Sequence, residues 1–440
     1  MVTLKSAIGT ANAVRAGRTT ALAEAQAAIA RIEARDDDLN AVVVRDFDRA
    51  LDAARALDVR SDRADLPLAG VPMTIKESFD VAGLPTTWGL AEHKDFIADR
   101  DAEVVRRLKA AGAILLGKTN VPPVLADWHS SNPVYGVTRN PHDPSRVPGG
   151  SSGGSAVSLA AGYVPLEYGS DIGGSIRVPA HFCGVWGHKP SYGIVSTDGQ
   201  MLPGTDGHMA EMSVVGPMAR TPEDLSLALD LTLMHPLAGP HRQTFSGLRI
   251  AVLEAHPAAG LDDEIGAAMV AASRQAERDG AVIVHRPPQP LPDLAAMHAA
   301  YIRLLLTTIG RRQPLPEGVE PVDLESWWQM LDEQARYRRQ WAAFFEGVGV
   351  LLAPIAGITA FPHDDGDSRS RMVSVNGRPE PWGPQLAWAG LANYPGLPAT
   401  AMPLTRSREG LPIGMQVIGP RFGDRLTLAA ARWIADALTK

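Results

Sequence analysis

The chain has 440 residues, 45% of them hydrophobic and 21% charged, with a formal net charge of −7. This is globular composition, which excludes a disordered chain, and its interspersed charges offer no basic stripe to nucleic acid. The single cysteine, Cys183, excludes an intrachain disulfide. No apolar run approaches the roughly 18 residues of a membrane span. The start "MVTLKSAIGT" lacks an apolar leader core, so a cytoplasmic protein is expected.

Residues 11–60 read as helical, with Leu22, Ala25, Ile29 and Ile32 near helical spacing. A strand follows at "AGVPMTIKESFDV", then an amphipathic helix at "DAEVVRRLKAAGA" and a short buried strand at "AILLGKT". "SAVSLAAGYV" suits a helix of small residues packed close to a sheet. From 285 to 345 the chain is less regular, although "WWQMLDEQARYRRQWAAFF" predicts a helix. "HDDGDSRSR" at 363–371 predicts a mobile polar loop. Strand-like "GLPIGMQVIGP" and helical "LTLAAARWIADAL" close the chain. The alternation predicts an α/β fold, a large mixed twisted β-sheet covered by helices on both faces. With neither repeat nor linker, residues 1–440 read as one domain with a helical N-terminal part over 1–60.

Two motifs mislead. Gly112 to Thr119 matches the phosphate loop G-x-x-x-x-G-K-[ST]. A helix precedes it, its middle residues are strand-like, and Pro122 and Pro123 follow. Gly149 to Gly153 matches the nucleophile elbow G-x-S-x-G. The preceding "NPHDPSRVP" carries three prolines in nine residues and cannot be the buried strand an elbow needs. Of the 12 histidines, His181 and His188 lie nearest the glycine motifs, and both read as structural. No spacing suggests a metal site; "PHDD" at 362–365 is too little.

Residues 148–155 read "PGGSSGGS", which fits a flexible linker, an elbow or a rigid loop. A second glycine-serine segment, "GSDIGGSIR", places Ser175 24 residues after Ser151. Gly173 and Gly174 can turn backbone N–H groups to one side and form a nest for an oxyanion, with Ser175 directly behind it. A base is then needed. Lys76 stands in a strand where Val71, Met73 and Ile75 alternate with Pro72, Thr74 and Lys76. Burial lowers a lysine's pKa and makes a neutral amine available.

These segments resemble the amidase signature family. "GGSSGGSAVSLAAGYVPLEYGSDIGGSIRVPAHFCGVWGHKPS" is similar to its signature, and "GVPMTIKESFD", "GKTNVP", "SSNPVYGVTRNP", "SVVGPMARTPEDL" and "GLPIGMQVIGPRFGD" to its other blocks, in order. The resemblance runs from about residue 4 to 437 and is weakest over 285–380, which it implies to be a variable substrate-pocket insertion. It implies Ser175 as nucleophile, Ser151 as the middle residue after a non-proline cis peptide, and Lys76 as base. The N–H groups of Ile172, Gly173, Gly174 and Ser175 would form the oxyanion hole. Ser152, Asp171 and Arg177 match positions that hold the loop, and Leu125 one that lines the acyl pocket. Ser170 and His188 depart from the family's usual threonine and leucine. The rigid loop is therefore the expected reading of "PGGSSGGS".

The resemblance implies hydrolysis of amides through an acyl-enzyme without a cofactor, by a monomer or homodimer acting on a small amide or carbamate. The alternative is an amidotransferase A-type subunit supplying ammonia to a partner protein. That branch typically reads "SDTGGSIRQPA", where this chain has Ile172 and Val178. Met201, Leu202 and Met209, in a stretch resembling the pocket mouth, and Trp327, Trp328, Trp382 and Trp388 are candidate apolar walls. They favour aryl and alkyl amides, anilides above free amino-acid amides, with carbamates as a secondary class.

Overall fold

The structure, a computed structural model, describes residues 5–205, 207, 210–239, 245–310 and 321–438. Its strands in chain order are β1 (Val42–Arg45), β2 (Pro72–Lys76), β3 (Ile114–Thr119), β4 (Ser131–Asn132), β5 (Gly136–Val137), β6 (Leu166–Asp171), β7 (Trp186–Lys189), β8 (Val214–Ala219), β9 (Arg249–Val252), β10 (Val282–Ile283), β11 (Val350–Pro354), β12 (Met372–Val375), β13 (Arg378–Pro381), β14 (Ala399–Arg406) and β15 (Pro412–Ile418). Eleven of them form one sheet in the order β1-β3-β2-β6-β8-β7-β14-β15-β11-β9-β10. β3, β2 and β6 run parallel, as do β11, β9 and β10, while the strands between pair antiparallel.

Alternate side chains of a strand point to opposite faces, and here both faces are covered. Leu115 packs with Val104, Leu108, Leu225 and Leu229, from the helices Glu103–Ala110 and Pro222–Thr232. Its neighbours Ile114 and Leu116 pack with Ala25, Ile29, Ile32 and Ala156, from Ala21–Glu33 and Gly153–Ala160. The predicted mixed sheet with helices on both faces is therefore what the chain forms. The same alternation sorts β2. Met73 and Ile75 join one core, while the Thr74 hydroxyl meets that of Ser158 at 3.0 Å on the other face. Lys76, two residues further, shares the face of Thr74 and ends the strand facing the loop before Gly153–Ala160. That helix is built of Gly, Ser and Ala at its start, so it lies close against the sheet.

Several expectations change. Residues 11–60 are not wholly helical, because β1 lies among the helices and pairs with β3. "VVVR" is too short to show a period. The segment 285–380 is not wholly insertion either: β11 sits inside the main sheet between β15 and β9. The loop at 363–371 is tied at both ends, by a His363–His129 ring contact at 3.0 Å and by the buried Arg371 on Asp127. The phosphate-loop look-alike is strand β3, and its Lys118 bonds Pro85 O and, at 2.9 Å, Thr86. Among the described residues no helix is long and apolar enough to cross a membrane.

Candidate active site

Three chain turns meet at the end of β2. Lys76 Nζ donates to Ser151 Oγ at 2.7 Å and to Ser170 Oγ at 2.9 Å. The Ser152 amide donates to the Ser175 carbonyl at 3.1 Å, which ties the Ser151 loop to the Ser175 loop. Ser152 Oγ turns back to Ser170 O at 3.4 Å. Ser175 is 5% exposed, and its hydroxyl has no hydrogen-bond partner among the described residues, that of Ser151 included.

"PGGSSGGS" is a packed loop, neither linker nor elbow. The Gly150–Ser151 peptide is cis. A Cβ on Gly150 would stand 2.3 Å from Asp127 O, so only glycine lets the loop pass that backbone.

Burial pushes the Lys76 ammonium down to about 7, against the opposing charges of Asp171 and Glu167. A depressed pKa does not by itself single out Lys76. Lys118 and Lys189 are also buried and pushed down, to about 8 and about 7. Lys118 is spent on Pro85 and Thr86, and Lys189 on the Pro190 carbonyl. Of the three lysines buried among the described residues, Lys76 is the one bonded to a serine of the glycine loops.

The Ser175 turn is held from behind by Asp171. Its carboxylate accepts the amides of Gly174 (2.9 Å) and Ile176 (3.1 Å), Arg177 Nε and Nη2 (both 3.0 Å) and Asn393 Nδ2 (3.0 Å). Burial alone would raise its pKa. The Arg177 charge and hydrogen bonds, with Lys189 and Asn393, overcome this and hold the carboxyl well below the usual range. Arg177 is itself buried and also reaches Gln416.

This network corrects one expectation. The Gly174 N–H is taken by Asp171, so it is not free for an oxyanion. The N–H groups of Ile172, Gly173 and Ser175 carry no hydrogen bond among the described residues and remain available.

The pocket residues are less gathered. Met201 lines a cavity of about 380 Å³ with Asp80, Arg100, Tyr192 and Val214, but Leu125, Leu202, Lys76, Ser151 and Ser175 do not line it. Met209 lies outside the described residues. Trp328 faces solvent, 56% exposed, whereas Trp388 and Trp382 are buried and Trp327 packs at the edge of a core. His181 is fully paired, to the Gly414 amide and the Ile358 carbonyl, and His188 to Thr400 and Asp424.

Residues not anticipated as partners are Ser170, Gln200, Glu167, Trp128, Tyr301 and Asn393. Gln200 Nε2 reaches Ser170 Oγ at 3.3 Å and Ser78 Oγ at 3.1 Å. Glu167 accepts from Thr74 at 2.5 Å in the polar layer beneath Lys76. A glutamate in the otherwise uncharged run "VPLEYGS" was a legible sign of a buried acid; the others leave no local mark.

A family profile described as Amidase matches residues 24–313 and 319–428. An indoleacetamide hydrolase of Bradyrhizobium diazoefficiens is 34% identical over 98% of this chain and 86% of its own length. The A-type subunit of a glutamyl-tRNA(Gln) amidotransferase from Koribacter versatilis is 30% identical, over 97% of each chain. A solved bacterial aryl acylamidase of the amidase signature family superposes with a TM-score of 0.79 at 26% identity, over 99% of this chain and 96% of that one. The chain belongs to the amidase family, the amidase-signature enzymes.

Proposed function

We propose that the protein hydrolyses aryl and alkyl amides, anilides among them, through a relay of Lys76, Ser151 and Ser175, with aryl carbamates as a secondary class. The observation that carries this reading is the 2.7 Å bond from the buried Lys76 to Ser151, on a loop tied to Ser175. Neutral Lys76 accepts the Ser151 proton, and Ser151 accepts that of Ser175 as the Ser175 oxygen adds to the substrate carbonyl. The oxyanion is met by the free amides of Ile172, Gly173 and Ser175, which need no reorganisation as charge develops. As the carbon–nitrogen bond breaks, Ser151 passes its proton to the leaving nitrogen and is reprotonated by Lys76. An acyl ester remains on Ser175. Water then attacks by the same route, releasing the acid and restoring the serine.

The names of the indoleacetamide hydrolase and aryl acylamidase support substrates with aromatic groups. The amidotransferase relative favours a second reading, a protein that delivers ammonia to a partner. Measuring kcat/KM of the purified chain alone on an anilide, a matched primary amide, an ester and an aryl carbamate separates the two. Turnover of anilide and amide by the single chain is expected, with Ser175→Ala lower by roughly 10³-fold or more. A chain idle on all four until a partner is added would favour the ammonia-delivery reading. Small charged amides preferred tenfold over every apolar substrate would overturn the aryl and alkyl specificity.

A further inference from the structure

Two successive carbonyls of the oxyanion segment are held by aromatic side chains from distant parts of the chain. The Tyr301 hydroxyl donates to Ile172 O at 2.9 Å, and Trp128 Nε1 donates to Gly173 O at 3.0 Å. A trans peptide unit is planar, and its N–H points away from its C=O. Holding the Ile172 carbonyl therefore sets the direction of the Gly173 N–H, and holding the Gly173 carbonyl sets that of Gly174. The Gly174 N–H is consumed by Asp171. The Gly173 N–H is not consumed among the described residues, so of the two anchors Tyr301 is the one that aims a free donor.

Tyr301 is fixed for this task. It comes from the helix Leu294–Gly310 and is fully buried. Its ring lies so close to the helix Leu386–Asn393 that a Cβ on Gly390 would stand 2.8 Å from Cδ1. Tyr394 and His298 flank it, each with ring centres 6.4 Å away. Burial, with the Asp171 charge, raises the phenol's pKa, so the hydroxyl stays a donor at any working pH. A hydrogen bond into a peptide carbonyl also polarises that peptide and strengthens its own N–H as a donor.

We propose that Tyr301 is a positioning residue for the oxyanion site, its hydroxyl fixing the peptide whose N–H, that of Gly173, meets the substrate oxygen as it gains charge. The proposal rests on the reading of Ser175 as nucleophile. It links the chemistry to a helix in the stretch where the family resemblance is weakest.

The test is Tyr301→Phe, which keeps the ring and removes the donor. The expected result is a fall in kcat of about tenfold, roughly 1.4 kcal/mol in the barrier, with KM within about twofold of wild type. The inhibition constant of an aryl trifluoromethyl ketone, which carries an oxyanion once Ser175 adds to it, is expected to rise by a similar factor. Tyr394→Phe is the matched control, because the Tyr394 hydroxyl is buried in the same ring cluster without a hydrogen-bond partner among the described residues; wild-type kinetics are expected. Gly390→Ala, which crowds the Tyr301 ring and retains the hydroxyl, is expected to give the same kcat-selective loss. A kcat within twofold of wild type for folded Tyr301→Phe, or an equal loss in Tyr394→Phe, overturns the proposal. Ser175→Ala separates the two levels. If it is inactive while Tyr301→Phe is normal, only the positioning role fails; if it retains activity, the reading of the whole site fails.

Discussion

Asp171 Oδ1 accepts the Gly174 amide at 2.9 Å, and the same carboxylate receives two guanidinium bonds from Arg177. The turn that presents Ser175 is thus braced by a buried ion pair, with both side chains at most 1% exposed. Removing one partner of such a pair leaves the other charged and unpaired, at a cost of about 3–5 kcal/mol. Asp171→Asn is expected to lower unfolding free energy by that order and to abolish most activity. Denaturant unfolding checks it; a loss below about 1 kcal/mol would show that the pair does not brace the turn.

In the proposed relay the base must be neutral, so the active form of Lys76 would be the deprotonated one, which dominates above its pKa. Burial sets that pKa near 7. Log kcat/KM is therefore expected to rise with pH, about tenfold per unit, and to level just above 7. Burial also pushes Glu167, in the layer beneath, up to about 7, so the limb belongs to the coupled pair. Lys76→Met is expected to lose both the activity and the limb. A profile flat from pH 5 to 9, with chemistry rate-limiting, contradicts Lys76 as base.

Gly150 passes so near the Asp127 carbonyl that a Cβ would stand 2.3 Å from its oxygen. Gly150→Ala must move the Asp127 backbone or the Ser151 loop, an overpacking cost of about 1–3 kcal/mol. Reduced thermal stability and at least a tenfold fall in kcat are expected, since any displacement of Ser151 disturbs its bond to Lys76. Wild-type values in both measurements would mean that the loop is not tightly held.

A lysine at the end of an apolar alternation and two glycine-serine turns one helix apart were legible as local motifs; that Ser151 stands between Lys76 and the Ser175 turn was implied by the resemblance to the amidase signature. What was not legible depends on partners far along the chain. Tyr301 lies 129 residues from Ile172, and Asn393 lies 222 from Asp171. Neither stretch looks unusual alone. The loss of the Gly174 donor was equally hidden, because an aspartate three residues before a glycine says nothing about which way its carboxylate folds. β1 and β11 escaped for another reason. β1, at one edge of the sheet, has only four residues, and β11, inside it, is buried throughout; neither shows a period of its own, and pairing with β3 and β15 makes them.

The most direct measurement is the site of covalent capture by a fluorophosphonate, an electrophile that leaves a stable phosphonyl group on an activated serine. Wild-type protein is labelled, digested and mapped by mass spectrometry. A single adduct on Ser175 is expected, absent from Ser175→Ala and slowed in Lys76→Met. An adduct on Ser151 or Ser152 instead, or no adduct on protein that turns over an anilide, would contradict Ser175 as the nucleophile.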